Sequence, residues 1–162
     1  MPKFILMIED NKDDALLIRR RLNEHLGRAF NVMHFDCMTK AGSFIEENKS
    51  EIEIILLDLH LPDTNDPEDT FNRIKKHCAD IPVIVLTGVD DHQLAVKMIK
   101  TGAENFANKS LLNENPELLR DMVDFAISRH KSVADANQKA KEAIAEKDQV
   151  ISWMSGNYSI PK

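Results

Sequence analysis

IEIILL, residues 52–57, is an apolar run broken only by Glu53, and it stops on a carboxylate, Asp58. Three other stretches share that form. FILMI (4–8) runs into Glu9-Asp10, IPVIVL (81–86) into Thr87, and ENFAN (104–108) into Lys109. Continuous apolar runs of this length, alternating with helical stretches, read as parallel strands buried on both faces of a sheet. In open parallel sheets, ligands bind beyond the carboxyl ends of the strands, where the strand order reverses. Three carboxylates, a hydroxyl and an ammonium are therefore expected to meet on one rim.

The pattern extends outward from these runs. Strands are predicted at about 3–8, 30–35, 53–58, 82–86 and 103–107, with helices between them. Ala15, Leu16, Ile18, Leu22 and Leu26 form a stripe near the helical period, and Ala41, Phe44 and Ile45 a shorter one. Asp66-Pro67-Glu68-Asp69 has the chemistry of a helix start: an Asp cap, Pro at the first position and acids in the first turn. Asp90 or Asp91 begins the fourth helix, which carries Leu94, Ala95, Met98 and Ile99 and ends at Gly102; Pro116 starts the last. The order βαβαβαβαβα requires right-handed crossovers and helices on both faces.

The length of 162 residues suits one domain plus an appendage. A chain 43% hydrophobic and 30% charged has the composition of a globular protein. No apolar run approaches the roughly 20 residues of a membrane span, and Met1–Ile8 is too short for a signal peptide. Cys37 and Cys78 are isolated and lack metal-site spacing, so a reduced, cytoplasmic protein is expected. The net charge of −6 is unevenly placed: residues 131–162 carry +1, which leaves −7 for residues 1–130. An acidic globular part argues against direct binding of nucleic acid, which needs a clustered basic face.

The last helix is predicted to run on. After Arg129 no Gly or Pro occurs until Gly156, and Ala, Lys, Glu and Gln dominate. Ala136, Ala143 and Val150 recur every seven residues, as do Val133, Ala140, Lys147 and Met154. This thin seam reads either as one exposed helix or as a two-stranded coil joining two copies.

The rim has a definite chemistry. In a sheet ordered 2-1-3-4-5 the first and third strands are neighbours, which brings Glu9, Asp10 and Asp58 together. Carboxylates so close raise one another's pKa unless a cation lies among them. Oxygen ligands beside an incoming phosphate are the preference of Mg²⁺. Lys109 can pair with Asp58 or with a phosphate oxygen, and Thr87 can donate its hydroxyl to another; both act by position and charge. Asp58 is then the nucleophile, forming an acyl phosphate. Each residue alone has an ordinary explanation as a cap, a turn or a loop residue. Their joint appearance at successive strand ends does not.

These residues resemble the receiver domains of bacterial two-component response regulators. The resemblance covers about residues 3–128 and rests on FILMIEDNKDDALLIRRRL, IILLDLHLPD, IPVIVLTGVDD and GAENFANKS. It implies an α/β, flavodoxin-like fold: a five-stranded parallel sheet of order 2-1-3-4-5 with helices on both faces, here with an extended C-terminal helix. It also implies a phosphoryl donor, a sensor histidine kinase or phosphotransfer protein. By position, Asp58 matches the phosphoacceptor, Asp10 a magnesium ligand and Glu9 the second acidic position. His60 matches the residue whose backbone carbonyl completes the metal shell. Thr87 and Phe106 match the switch pair, and Lys109 the family's lysine. Three positions depart from the pattern. Ser110 replaces a proline that is usually preceded by a cis bond. Asp66 stands where many members have glycine. His60 and Val89 occupy the positions that gate the attacking water, so His60 is expected to modulate the lifetime of the acyl phosphate.

The chain is expected to divide into a receiver domain at 1–129, a helical extension at 130–155 and a flexible tail at 156–162. ISWMSGNYSIPK (151–162) is similar to the histidine box of sensor kinases, but Gly156 falls where the phosphorylated histidine would be. That implies a degenerate dimerisation helix without kinase activity. Arg19 to Arg21 read as a solvated helix face. The expected function is a Mg²⁺-dependent phosphorelay switch, not a turnover enzyme. It would form a homodimer through the face of the fourth helix, fifth strand and fifth helix together with the C-terminal helix. Two alternatives are a phosphorylation-independent helical interaction module with a vestigial pocket and a haloacid-dehalogenase-type phosphatase. The phosphatase needs an acid two residues after its nucleophile, where this chain has His60.

Overall fold

The computed structural model describes residues 3–25, 31–88 and 91–156. Leu26, Phe30, Val89, Asp90 and residues 157–162, which entered the expectations above, lie outside them. The chain divides into two compact units, Met1–Ile127 and Ser128–Lys162.

In the first unit the elements follow the expected alternation. β1 is Phe4–Ile8, α1 Lys12–His25, β2 Asn31–Phe35 and α2 Met38–Asn48, followed by a 3₁₀ turn at Lys49–Glu51. Then come β3 (Ile52–Asp58), α3 (Pro67–His77), β4 (Val83–Thr87), α4 (His92–Lys100), β5 (Asn105–Asn108), α5 (Lys109–Glu114) and the start of α6 (Leu118–Gly156). The five strands are parallel in the order β2-β1-β3-β4-β5. This is the flavodoxin-like order, and it reverses between β1 and β3.

The apolar runs are buried because both sheet faces are covered. Along β1, Leu6 and Ile8 join one core cluster and Ile5 and Met7 the other; along β3, Ile55 and Leu57 alternate with Ile54 and Leu56. Met38, Ala41, Ile45, Phe71, Ile74 and Met98 bring α2, α3 and α4 to the first face. Ala15, Ile18, Leu22, Leu112, Leu119 and Val123 bring α1, α5 and α6 to the second. Two layers of helices cover the faces of the sheet and leave the strand ends open.

Helix boundaries follow cap chemistry. Asp66 accepts from Asp69 N–H at 2.8 Å, with Pro67 at the first helical position, as the sequence indicates. Asp66 therefore opens α3 as an N-cap where glycine is common among receivers. α4 starts after Asp91, and Gly102 follows it at φ 115°, a conformation that favours glycine. One element was not expected: α5, a six-residue helix whose cap Asn108 accepts from Ser110 N–H at 2.9 Å. The final helix accordingly starts at Leu118 rather than at Pro116.

In the second unit α6 continues to Gly156, and residues 131–156 are all exposed. Val133, Ile144, Val150 and Trp153 are 54–70% exposed. Among the described residues no helix is long and apolar enough to cross a membrane.

Candidate functional site

Register builds the site. Ile8 pairs with Leu57 across β1 and β3, so the next residues, Glu9 and Asp58, emerge side by side at the rim. An acidic pair ahead of a helix often serves as its cap. Here Asn11 takes that task, with its Oδ1 accepting from the N–H groups of Asp13 (2.9 Å) and Asp14 (3.1 Å). Glu9 and Asp10 are left to the rim. One carboxylate oxygen from each of Glu9, Asp10 and Asp58 lies within 4.8 Å of the others. Glu9 and Asp58 are buried, and Asp10 is exposed.

Lys109 arrives from the end of β5. Its Nζ lies 2.7 Å from Glu9 Oε2, 3.1 Å from Asp14 Oδ2 and 3.2 Å from Asp58 Oδ2. Burial pushes the Glu9 carboxyl up to about 7 against the pull of Lys109, and the neighbouring Asp58 adds to the rise. Burial alone would lower Lys109. The hydrogen bond to Glu9 and the charge of Asp58 outweigh it and hold the ammonium above the usual lysine range. Three carboxylates thus share the Lys109 ammonium, with that of Asp10 close to two of them.

That imbalance tests whether a cation fits. The donors are all carboxylate oxygens, the set preferred by Mg²⁺. Glu9 Oε1 accepts from Asn11 N–H at 3.1 Å, while the buried Oε2 meets the Lys109 ammonium at 2.7 Å. A hard divalent cation fits the charge deficit and the donor types. Beside Asp10, a cleft of about 310 Å³ is lined by His60, Thr64, Asn65 and Asp66, among others.

The remaining expected residues lie on the same rim. Thr87 ends β4, and its buried hydroxyl donates to Ala107 O at 3.3 Å. In this state, therefore, it bonds to β5 rather than to Asp58. Phe106, on β5, is half-buried, with its ring 5.8 Å from that of His92 in an edge-on arrangement. The His60 N–H donates to Asp58 Oδ1 at 3.0 Å, and the His60 ring meets Asp91 Oδ2 at 3.2 Å. No peptide bond among the described residues is cis, so Lys109-Ser110 departs from the usual receiver arrangement.

Sequence reasoning missed three acids. Asp14 lies in the first turn of α1, directly after the rim acids, and that placement could have put it near Lys109. Asp63, in the loop after β3, accepts from the N–H groups of Met38 (2.9 Å) and Thr39 (2.8 Å) and caps α2 from outside. Asp91, one of the two expected starts of the fourth helix, is the N-cap of α4, but its carboxylate makes no cap bond and goes elsewhere. These last two are long-range contacts that no local pattern signals.

Comparison with known proteins bears on the family and the fold. The family model for the response regulator receiver domain matches residues 5–124. The response regulator protein TodT of Pseudomonas putida is 31% identical over 80 residues, 49% of this chain and 35% of that protein. A cyclic di-GMP phosphodiesterase of Thermotoga maritima is 30% identical over 124 residues, 76% of this chain and 30% of that one. The chain spans only about a third of the length of these two relatives. Among solved structures, a response regulator receiver domain protein from Clostridium thermocellum has a TM-score of 0.69 at 25% identity, covering 81% of this chain and 98% of that one. The N-terminal signal receiver domain of a two-component system response regulator from Bacteroides fragilis gives 0.66 at 25% identity, covering 78% and 98%.

Proposed function

We propose a phosphoryl-accepting switch: the chain belongs to the response regulator receiver family, and its rim gathers an acceptor carboxylate, further acids, a hydroxyl and an ammonium, the groups this chemistry uses. The observation that carries this reading is the convergence on the Lys109 ammonium of carboxylates from two neighbouring strand ends, Glu9 after β1 and Asp58 on β3.

The donor is a phosphohistidine on a sensor kinase or phosphotransfer protein. An Asp58 oxygen bonds to phosphorus while the P–N bond breaks, and the leaving imidazole keeps the bonding pair. Lys109 stabilises the charge on the transferring oxygens, and the Thr87 hydroxyl exchanges Ala107 O for a phosphoryl oxygen. Glu9, Asp10, Asp58 and the backbone carbonyl of His60 would hold Mg²⁺, which when bound supplies positive charge against the phosphoryl oxygens. His60, two residues past the acceptor, modulates the lifetime of the product.

As Thr87 is drawn toward the phosphoryl group, Phe106 turns inward behind it. The face formed by α4, β5 and α6 changes, and Val96, Ile99 and Phe125 stand exposed on its helices. Residues 1–129 act as the receiver. The extension at 130–155 passes the change to a second copy through the Val133–Met154 seam. The complete acidic set argues against a vestigial pocket, and His60 stands where a haloacid-dehalogenase phosphatase needs its acid.

Nuclear magnetic resonance with beryllofluoride and Mg²⁺, a mimic of the phosphoryl group, tests the switch. The resonances of Thr87 and Phe106 are expected to shift in wild type and to stay in place in Asp58→Asn. A titration that leaves both unmoved in wild type would contradict the switch.

A further inference from the structure

Asp91 stands at the N-cap of α4, where an Asp usually gives its carboxylate to the first free N–H groups of the helix. It makes no such bond. Its Oδ2 instead accepts from Gly88 N–H at 3.3 Å and meets His60 Nε2 at 3.2 Å. Gly88 directly follows Thr87, and His60 lies two residues past Asp58. β3 and β4 are neighbours, so this bridge crosses the rim between the acceptor and the switch hydroxyl.

Stability does not account for the choice. The His60 side chain is 58% exposed and that of Asp91 25%. A pair so open to water adds little to stability, no more than the helix cap that Asp91 forgoes. The arrangement exchanges a helix cap for a bond to the Gly88 N–H and places the imidazole. The neighbouring residue adds a second link, because the His92 ring meets Phe106 edge-on. The first turn of α4 thus touches both the ring beside the acceptor and the switch aromatic.

We propose that Asp91 is a positioning residue for the acyl phosphate on Asp58: by holding the His60 ring across the rim, it screens the phosphorus from water and prolongs the phosphorylated state. This rests on the switch reading above. In the hydrolysis being slowed, a water oxygen bonds to phosphorus as the P–O bond to Asp58 breaks. The carboxylate leaves with the bonding pair, inorganic phosphate is released, and a proton passes to solvent.

The test is the decay of label after the full chain is phosphorylated with acetyl phosphate and Mg²⁺ and the donor is removed. Asp91→Ala and His60→Ala should each speed decay by about three- to fivefold, the rate equivalent of a contact of this strength. The double variant should decay no faster than either single one. Asp91→Asn, whose carbonyl oxygen can still accept from both donors, should decay like wild type. A general loosening of α4 would not give this pattern of non-additivity and rescue. Unchanged decay in Asp91→Ala, or additive effects in the double variant, overturns the proposal alone. A wild-type chain that takes no label overturns both the proposal and the reading beneath it.

Discussion

Glu9 shows how the site is held in tension. Its carboxyl is fully buried beside Asp58, and burial moves its ionisation from 4.5 to about 7. The folded protein therefore keeps a proton there that the unfolded chain releases near pH 4.5. This contribution to stability is complete below that pH and is lost as pH rises through about 7, at about 1.4 kcal/mol for each pH unit between the two ionisation points. In metal-free protein, Glu9→Gln carries a fixed neutral group and escapes that loss. Its melting temperature relative to wild type should climb between pH 5 and pH 8, and a difference constant across that range would contradict the argument. At this scale the sequence was largely legible, because Glu9, Asp10, Asp58, Thr87 and Lys109 all follow apolar runs that could only be strands. Asp14 was not, because it lies inside a helix whose apolar stripe drew the reading to the packed residues beside it.

Among the elements, the strands were the clearest. Ile54 to Leu57 are wholly buried, and a run without alternation admits a parallel strand covered on both sides. α5 was hidden because six residues are too few to show a period, although Asn108 had the right chemistry for its cap. The start of α2 was illegible for a different reason. Cys37, at its N-cap, makes no side-chain cap bond, and Asp63 supplies the acceptor from 25 residues away. Burial would raise the Asp63 carboxyl, but its bonds to Thr39 and Met38 outweigh this and lower it. Asp63→Ala should cost about 1–2 kcal/mol, measured by urea denaturation at neutral pH. The loss should shrink as pH falls below the ordinary aspartate value of 3.8, where protonation removes the same contribution from wild type. A neutral-pH loss under a few tenths of a kcal/mol would show that the cap is dispensable.

Taken whole, the chain joins one packed unit to a helix of a different kind. Among the described residues every buried side chain lies at or before Ile127, while residues 131–156 are exposed throughout. The lack of Gly and Pro after Arg129 made the helix legible, but nothing local states what its seam meets. A chain of residues 1–130 should melt within about 2 °C of the full chain under dilute conditions. A much larger drop would mean that the extension stabilises the receiver, contrary to the burial pattern.

The central claim is that the carboxylate of residue 58 takes the phosphoryl group, and covalent trapping tests it most directly. The chain is treated with acetyl phosphate and Mg²⁺, reduced with borohydride and mapped by peptide mass. Reduction of an aspartyl phosphate should leave homoserine at position 58, and omission of Mg²⁺ should abolish it. An unmodified Asp58, or homoserine at another acid of the rim, would contradict the account.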